Sequence, residues 1–123
     1  MSSLQNEPNC IFCKIVRGEI PAKKVYEDDE VIAFNDIRPQ APVHILLVPK
    51  SHIATLYDAQ PGHQSALGKM LGVAGRLARE AGAADGFRTI INNGRVGHQE
   101  VYHVHMHVLG GPEPLGPMLY RKR

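Results

Sequence analysis

Three of the seven histidines stand at every second position, as His103, His105 and His107. In a β-strand successive side chains point to opposite faces, so these three imidazoles share one face. Tyr102, Val104, Met106 and Val108 then share the other and can enter a core. In a helix the same residues would scatter, and the valines favour an extended chain. A row of imidazoles can bind protons, a metal or phosphorus. A neutral imidazole attacks phosphorus and divides one difficult displacement into two easier ones. Neighbours two residues away can then hold nonbridging oxygens or place the leaving group. Three adjacent cations would repel, so at least one imidazole stays neutral near pH 7. The competing readings are a solvated face and a zinc site. Direct neighbours on a strand converge poorly on one ion without ligands from elsewhere.

Other residue types could also do chemistry. Cys10 and Cys13 are the only cysteines and have Cys-x-x-Cys spacing. A disulfide is disfavoured in a reducing compartment, a redox pair lacks a thioredoxin-like context, and half a zinc site is the third option. His44 sits inside the apolar run Val43–Val48, as a core histidine or a phosphate ligand. Asp36 follows Phe34 and Asn35 at a strand end, where it could stabilise a turn or accept the hydroxyls of a diol.

These residues need elements to position them. Ile11, Phe12, Ile15 and Val16 have helical spacing within 10–17, and Gly18 stops that helix. Residues 23–27 and 31–34 read as two strands of a hairpin around Asp28-Asp29-Glu30. Val43–Val48 is the most apolar strand and is expected to be central. His52 is expected at the start of a short helical segment. Residues 61–82 read as the one long helix, with Pro61 in its first turn and an apolar face of Leu67, Met70, Leu71, Ala74, Leu77, Ala78 and Ala81. Residues 87–92 form the next strand, and the glycine-bearing loop 93–98 leads to the triad strand over 100–109. The expected architecture is α+β: about five antiparallel strands with one long and one or two short helices. Residues 1–9 are expected to be a flexible N-terminus, 10–112 the domain, and 113–123 a Pro- and Gly-rich tail.

Composition bounds the rest. A chain of 123 residues, 43% hydrophobic and 21% charged, suits one ordinary globular domain. No apolar run is long enough for a membrane span, and the N-terminus lacks a signal-peptide pattern. A cytoplasmic location and no membrane partner are the expectation. The net charge is +2 and the terminal Arg121-Lys122-Arg123 alone carries +3, so the rest is about neutral and no nucleic-acid footprint is expected.

The run His103-Val104-His105-Met106-His107-Val108-Leu109 resembles the histidine triad, His-x-His-x-His followed by two apolar residues, of the histidine triad (HIT) superfamily. Segments in the same order resemble its Hint-like branch: Ile11-Phe12-Cys13-Lys14-Ile15, Glu19-Ile20-Pro21-Ala22, Phe34-Asn35-Asp36-Ile37, Pro39-Gln40-Ala41-Pro42, His44, Pro49-Lys50-Ser51-His52-Ile53 and Gly110-Gly111. The resemblance implies a HIT fold and a two-fold homodimer whose sheets extend one another. It implies hydrolysis of the P–N bond of purine nucleoside 5′-phosphoramidates through a nucleotidyl-histidine. His105 would be the nucleophile, with His107 and His44 at the phosphate. Asn92 and the amides of the Gly94–Val101 loop, Gln99 and Val101 among them, would cradle phosphate oxygens. Asp36 would hold the ribose, and Ile11, Phe12, Ile15, Phe34, Ile37 and Leu46 would sandwich the purine. Dinucleoside polyphosphate hydrolysis and a nucleotide-binding module with little turnover are the alternatives.

Two positions depart from the pattern. Glu100 stands where the branch usually has a serine hydroxyl that assists the amine leaving group. A carboxylate there must turn away, hold a proton or act as an acid. The chain also has no Trp, whereas animal relatives end in a tryptophan-bearing segment. Zinc-bearing relatives further imply one structural zinc, held here by Cys10, Cys13, His52 and His103.

Overall fold

The computed structural model describes residues 7–119, so part of the expected N-terminal segment and of the expected tail lies outside the described residues. Five antiparallel strands form one sheet in the order β1-β2-β3-β5-β4: β1 Lys24–Glu27, β2 Val31–Asn35, β3 Val43–Pro49, β4 Phe87–Ile91 and β5 Met106–Gly110. Two helices pack on it, α1 Ile11–Val16 and α2 Gln64–Glu80.

Strand β3 lies in the middle and is buried along its whole length. Its alternation splits the interior in two. Val43, Ile45 and Leu47 face α2, where they join Met70, Ala74, Leu77 and Ala78 together with Met106 and Val108 of β5. Leu46 and Val48 face the other way and join Phe12 and Ile15 of α1 with Ile32 and Phe34 of β2. His44 shares this second face. A strand buried on both sides must be apolar in nearly every position, which explains why Val43–Val48 stood out.

The register of β3 on β5 pairs Leu46 with His107 and His44 with Leu109. His44 and His107 are therefore diagonal neighbours on one face. At the β1–β2 hairpin, Asp28 accepts the N–H groups of Glu30 (2.7 Å) and Val31 (2.9 Å) and the Tyr26 hydroxyl (2.6 Å). These bonds close the acidic turn.

Several expectations need correction. The ladder of the triad strand begins at Met106, not at residue 100, because β4 ends at Ile91, the partner of Met106. Ahead of that point the chain leaves the sheet, and the Val104 N–H bonds Ile53 O (2.7 Å). The alternation still holds from His103 to Val108, but Tyr102 lies beyond it and is half exposed. His52 sits in irregular chain, and the nearest helical turn is Leu56–Asp58, capped by Thr55 and Asp58. The long helix begins as a 3-10 turn, Pro61–His63, before α2 proper. On α2, Leu71 faces solvent and Leu67 is only partly buried, and Ala81, expected on the same face, is the exposed C-cap just beyond the helix. No helix among the described residues is long and apolar enough to cross a membrane.

Candidate active site and metal centre

The second face of the sheet carries a cleft of about 730 Å³. Its apolar wall comes from α1 and β2, through Ile11, Phe12, Ile15 and Phe34. Its floor comes from β3 and the triad segment, through His44, Leu46, His105 and His107. Asp36, Ile37, Asn92, Glu100 and Val101 complete the expected set around the rim. Gln99 alone of that set does not line the cleft. It is buried, with its amide bonded to Ala54 O (2.8 Å) and Val101 O (2.9 Å) and its Oε1 accepting the Gly94 N–H (2.8 Å). It braces the loop that carries Glu100. The Gly94, His98 and Gln99 amides are likewise engaged within the loop, so these three are not the expected phosphate cradle. The cleft also takes in Ile20, Pro21, Ala22, Asn35, Arg38, Gln40 and His98. Of these, His98 carries the strongest chemical signal. It lies in the glycine loop, five residues before the triad.

Hydrogen bonds fix the tautomers of His105, His44 and His107. A carbonyl can only accept, so a ring nitrogen facing one carries the proton. His105 Nδ1 lies 2.8 Å from His103 O and donates to it, which leaves the lone pair on His105 Nε2. His44 Nδ1 accepts the Gln40 N–H (3.0 Å), so its proton sits on Nε2. That proton goes to His107 Nδ1 at 2.9 Å and leaves His107 Nε2 as a donor. One imidazole thus offers a nucleophilic lone pair, and the next offers an N–H, 5.1 Å apart between ring centres.

Burial favours the neutral forms of His107 and His44. Burial and the neighbouring His105 and His44 hold the proton affinity of His107 down, to a pKa of about 4. Burial lowers His44 too, against the opposing pull of Asp36. The Asp36 carboxylate accepts the Arg38 N–H (2.8 Å) and lies 3.4 Å from His44 Nε2.

Behind the triad, Cys10, Cys13, His52 and His103 bring four ligand atoms within 4.8 Å of one another. Cys10 Sγ is 3.3 Å from His103 Nδ1; Cys13 Sγ is 3.4 Å from His52 Nδ1 and 3.6 Å from His103 Nδ1. Sulfur and nitrogen ligands on one tetrahedral zinc would stand about 3.6 Å apart, given Zn–S near 2.3 Å and Zn–N near 2.0–2.1 Å. His103 Nε2 donates to Pro49 O at 2.7 Å, so Nδ1, the nitrogen among the sulfurs, holds the lone pair. A backbone carbonyl orienting a ligand histidine is the usual outer-shell device. Without a cation, burial raises the Cys13 thiol to about 11 and lowers His103 to about 4. The donor set fits zinc in number, type and spacing, and His103 fits in tautomer as well. Asp36, His44 and His107 also cluster, but the proton on His44 Nε2 removes that atom as a ligand.

Comparison with known proteins agrees with the fold. The HIT domain family model matches residues 17–113. Purine nucleoside phosphoramidase from Escherichia coli (strain K12) is 56% identical over 113 residues, 91% of this chain and 94% of that protein. Protein HitA from Neisseria gonorrhoeae is 53% identical over 104 residues, 85% of this chain and 97% of that one. The crystal structure of a HIT family hydrolase from Legionella pneumophila Philadelphia 1 superposes with a TM-score of 0.82 at 48% identity, covering 89% of this chain and 98% of its own. The chain is a member of the HIT family.

Proposed function

We propose that this chain is a hydrolase that cleaves the P–N bond of purine nucleoside 5′-phosphoramidates. The observation that carries this reading is the tautomer pair in the cleft. His105 Nε2 offers a lone pair beside the His107 Nε2–H, in a cleft of about 730 Å³ with an apolar wall of Ile11, Phe12, Ile15 and Phe34. The name of the E. coli relative points to the same reaction.

In the first step the His105 Nε2 lone pair forms a bond to phosphorus, and the P–N bond breaks with its electron pair on the amine. The Nδ1–H bond to His103 O supports the positive charge that develops on the ring. His107 donates Nε2–H to a nonbridging oxygen. Asp36 holds the ribose hydroxyls, and the α1 wall holds the base. In the second step water attacks phosphorus, and the His105–phosphorus bond pair returns to the ring. Cys10, Cys13, His52 and His103 would hold a zinc in a structural role, since four protein ligands would leave no open position for substrate. That site would hold α1 against the triad segment.

The same reading includes a homodimer, supported by the exposed β4 edge and the apolar residues beside it. It also includes a cytoplasmic location, which suits two unpaired thiols.

The test is turnover of AMP–lysine against diadenosine polyphosphate by wild type and His105→Asn. Wild type should prefer AMP–lysine, and His105→Asn should fall by about 10⁴-fold or more while still binding AMP. Preference for the dinucleotide would favour the second hydrolase reading. AMP binding with no turnover of either would favour a binding module.

A further inference from the structure

His98 lies outside the triad and has no part in the chemistry above, yet it lines the same cleft as His105 and His107. Its backbone is left-handed, with φ +63, the only such non-glycine residue among those described. Histidine tolerates this region better than most side chains, but such a conformation persists only where its surroundings enforce it. The loop enforces it here. A Cβ at Gly97 would come within 2.5 Å of Asn93 O, so the residue before His98 must be glycine. The buried Gln99 side chain pins the residue after it to Ala54 and Val101. With Gln99 directed inward, His98 and Glu100 on either side project into the cleft mouth. Their side chains are 88% and 80% exposed, and His98 Nε2 is 3.6 Å from Glu100 Oε2. Both residues line the cleft that holds His105 and His107, and the Glu100 charge acts on His107.

An in-line displacement drives the leaving group away from the nucleophile. His105 is at the buried floor, so the amine exits toward the mouth, where His98 and Glu100 stand. An alkylamine needs a proton as it departs. His105 is the nucleophile, His107 Nε2–H is turned to phosphate, and His44 is bonded to His107. Asp36 is engaged by Arg38 and His44. Imidazole is well suited to give and take protons near neutrality.

We propose that His98, paired with Glu100, is the leaving-group residue, a specificity determinant for basic amines that rests on the phosphoramidase reading. The His98 imidazolium gives its proton to the amine nitrogen as the P–N bond breaks, which leaves nucleotidyl-His105, free amine and neutral His98. Neutral His98 then takes a proton from the water that attacks phosphorus and returns to imidazolium as the nucleotide is released. Glu100 holds the imidazolium in place and draws in a cationic amine side chain. The carboxylate at this position is thereby accommodated: its charge is matched by His98 instead of facing phosphate alone.

The experiment uses two substrates, AMP–lysine and the p-nitrophenyl ester of AMP, whose phenolate leaves without a proton. The variants are His98→Gly, which removes the side chain and relaxes the backbone, and His98→Asn, which tolerates the left-handed conformation but cannot act as an acid. Both should lose about 10²-fold in kcat/KM on AMP–lysine and keep wild-type kcat/KM on the ester, because kcat/KM stops at leaving-group departure and does not include the later water step. Added imidazole should restore part of the loss with His98→Gly. Equal losses on both substrates, or no loss on AMP–lysine, would overturn the role of His98 and leave the phosphoramidase reading standing. Wild-type cleavage of the ester alone would overturn both.

Discussion

His105 keeps its lone pair toward the cleft because His103, two residues back, accepts its other proton through the backbone. His103 itself is turned the opposite way by Pro49 O, so adjacent triad members serve different partners from one stretch of chain. His107 is set by side chains instead, through His44 and ultimately the Gln40 amide. This last relay makes a pH prediction. Burial, with His105 and His44 beside it, lowers His107 to about 4, from an ordinary value of about 6.5. The unfolded chain therefore binds more protons than the folded one between these values, and stability rises with pH there. The contribution is complete above about pH 6.5 and is lost as pH falls toward 4. Melting temperature should drop from pH 7 to pH 5, and His107→Gln should drop less over the same interval. An identical pH slope in the variant would show that His107 does not titrate this way. The spacing of the histidines revealed the shared face. It could not reveal the tautomers, because Pro49 and Gln40 are remote in sequence and neither is a residue that announces a hydrogen bond to a ring.

Helix α1 shows how much an element can depend on its ends. At six residues it is far shorter than a helix that persists alone. Its first cap is Cys10, whose Sγ accepts the Cys13 N–H at 3.4 Å, and both cysteines face His52 and His103. Phe12, between them, packs edge-on against His105 with ring centres 5.0 Å apart and against Phe34 at 5.8 Å. The metal proposal therefore has a thermal consequence. Purified without chelators, the protein should carry about one zinc per chain, and a strong chelator should lower its melting temperature by about 10 °C or more. The same chelator should leave Cys13→Ala, already destabilised, where it was. Zinc well below one equivalent, or melting that ignores the chelator, would reject the site. Cys-x-x-Cys and the helical spacing were legible in residues 10–17. The extent of β5 was not, because a strand's ladder is decided by its neighbours, and β4 stops at Ile91. Val104 is no less apolar than Val108, yet it is held by Ile53 in irregular chain.

The whole molecule has two sheet edges, and they are not equivalent. The β1 edge carries a register shift between Lys24 and Tyr26 and a surface pair of Lys24 with Glu27 (3.2 Å). Bulges and charges of this kind discourage pairing with another chain. The β4 edge is regular across all five residues, and Phe87 on it remains 42% exposed. Leu71 on α2 is 64% exposed. Helical periodicity assigned Leu71 to the core face, because it counts apolar residues and cannot see which of them a single sheet covers. A residue apolar by pattern and exposed in the monomer is what a self-complementary interface would use. Two copies paired through β4 about a two-fold axis would extend the sheet and bring further apolar surface together. The expected mass by light scattering at micromolar concentration is twice the 13.5 kDa of the chain. Leu71→Asp should shift the population toward monomer and make melting temperature less dependent on protein concentration, since mass action no longer favours the folded pair. The cleft residues lie on the opposite face of the sheet from α2, so AMP affinity per folded chain should change little. A wild-type protein that runs as a monomer at these concentrations would remove the dimer, and with it the reason for the regular β4 edge.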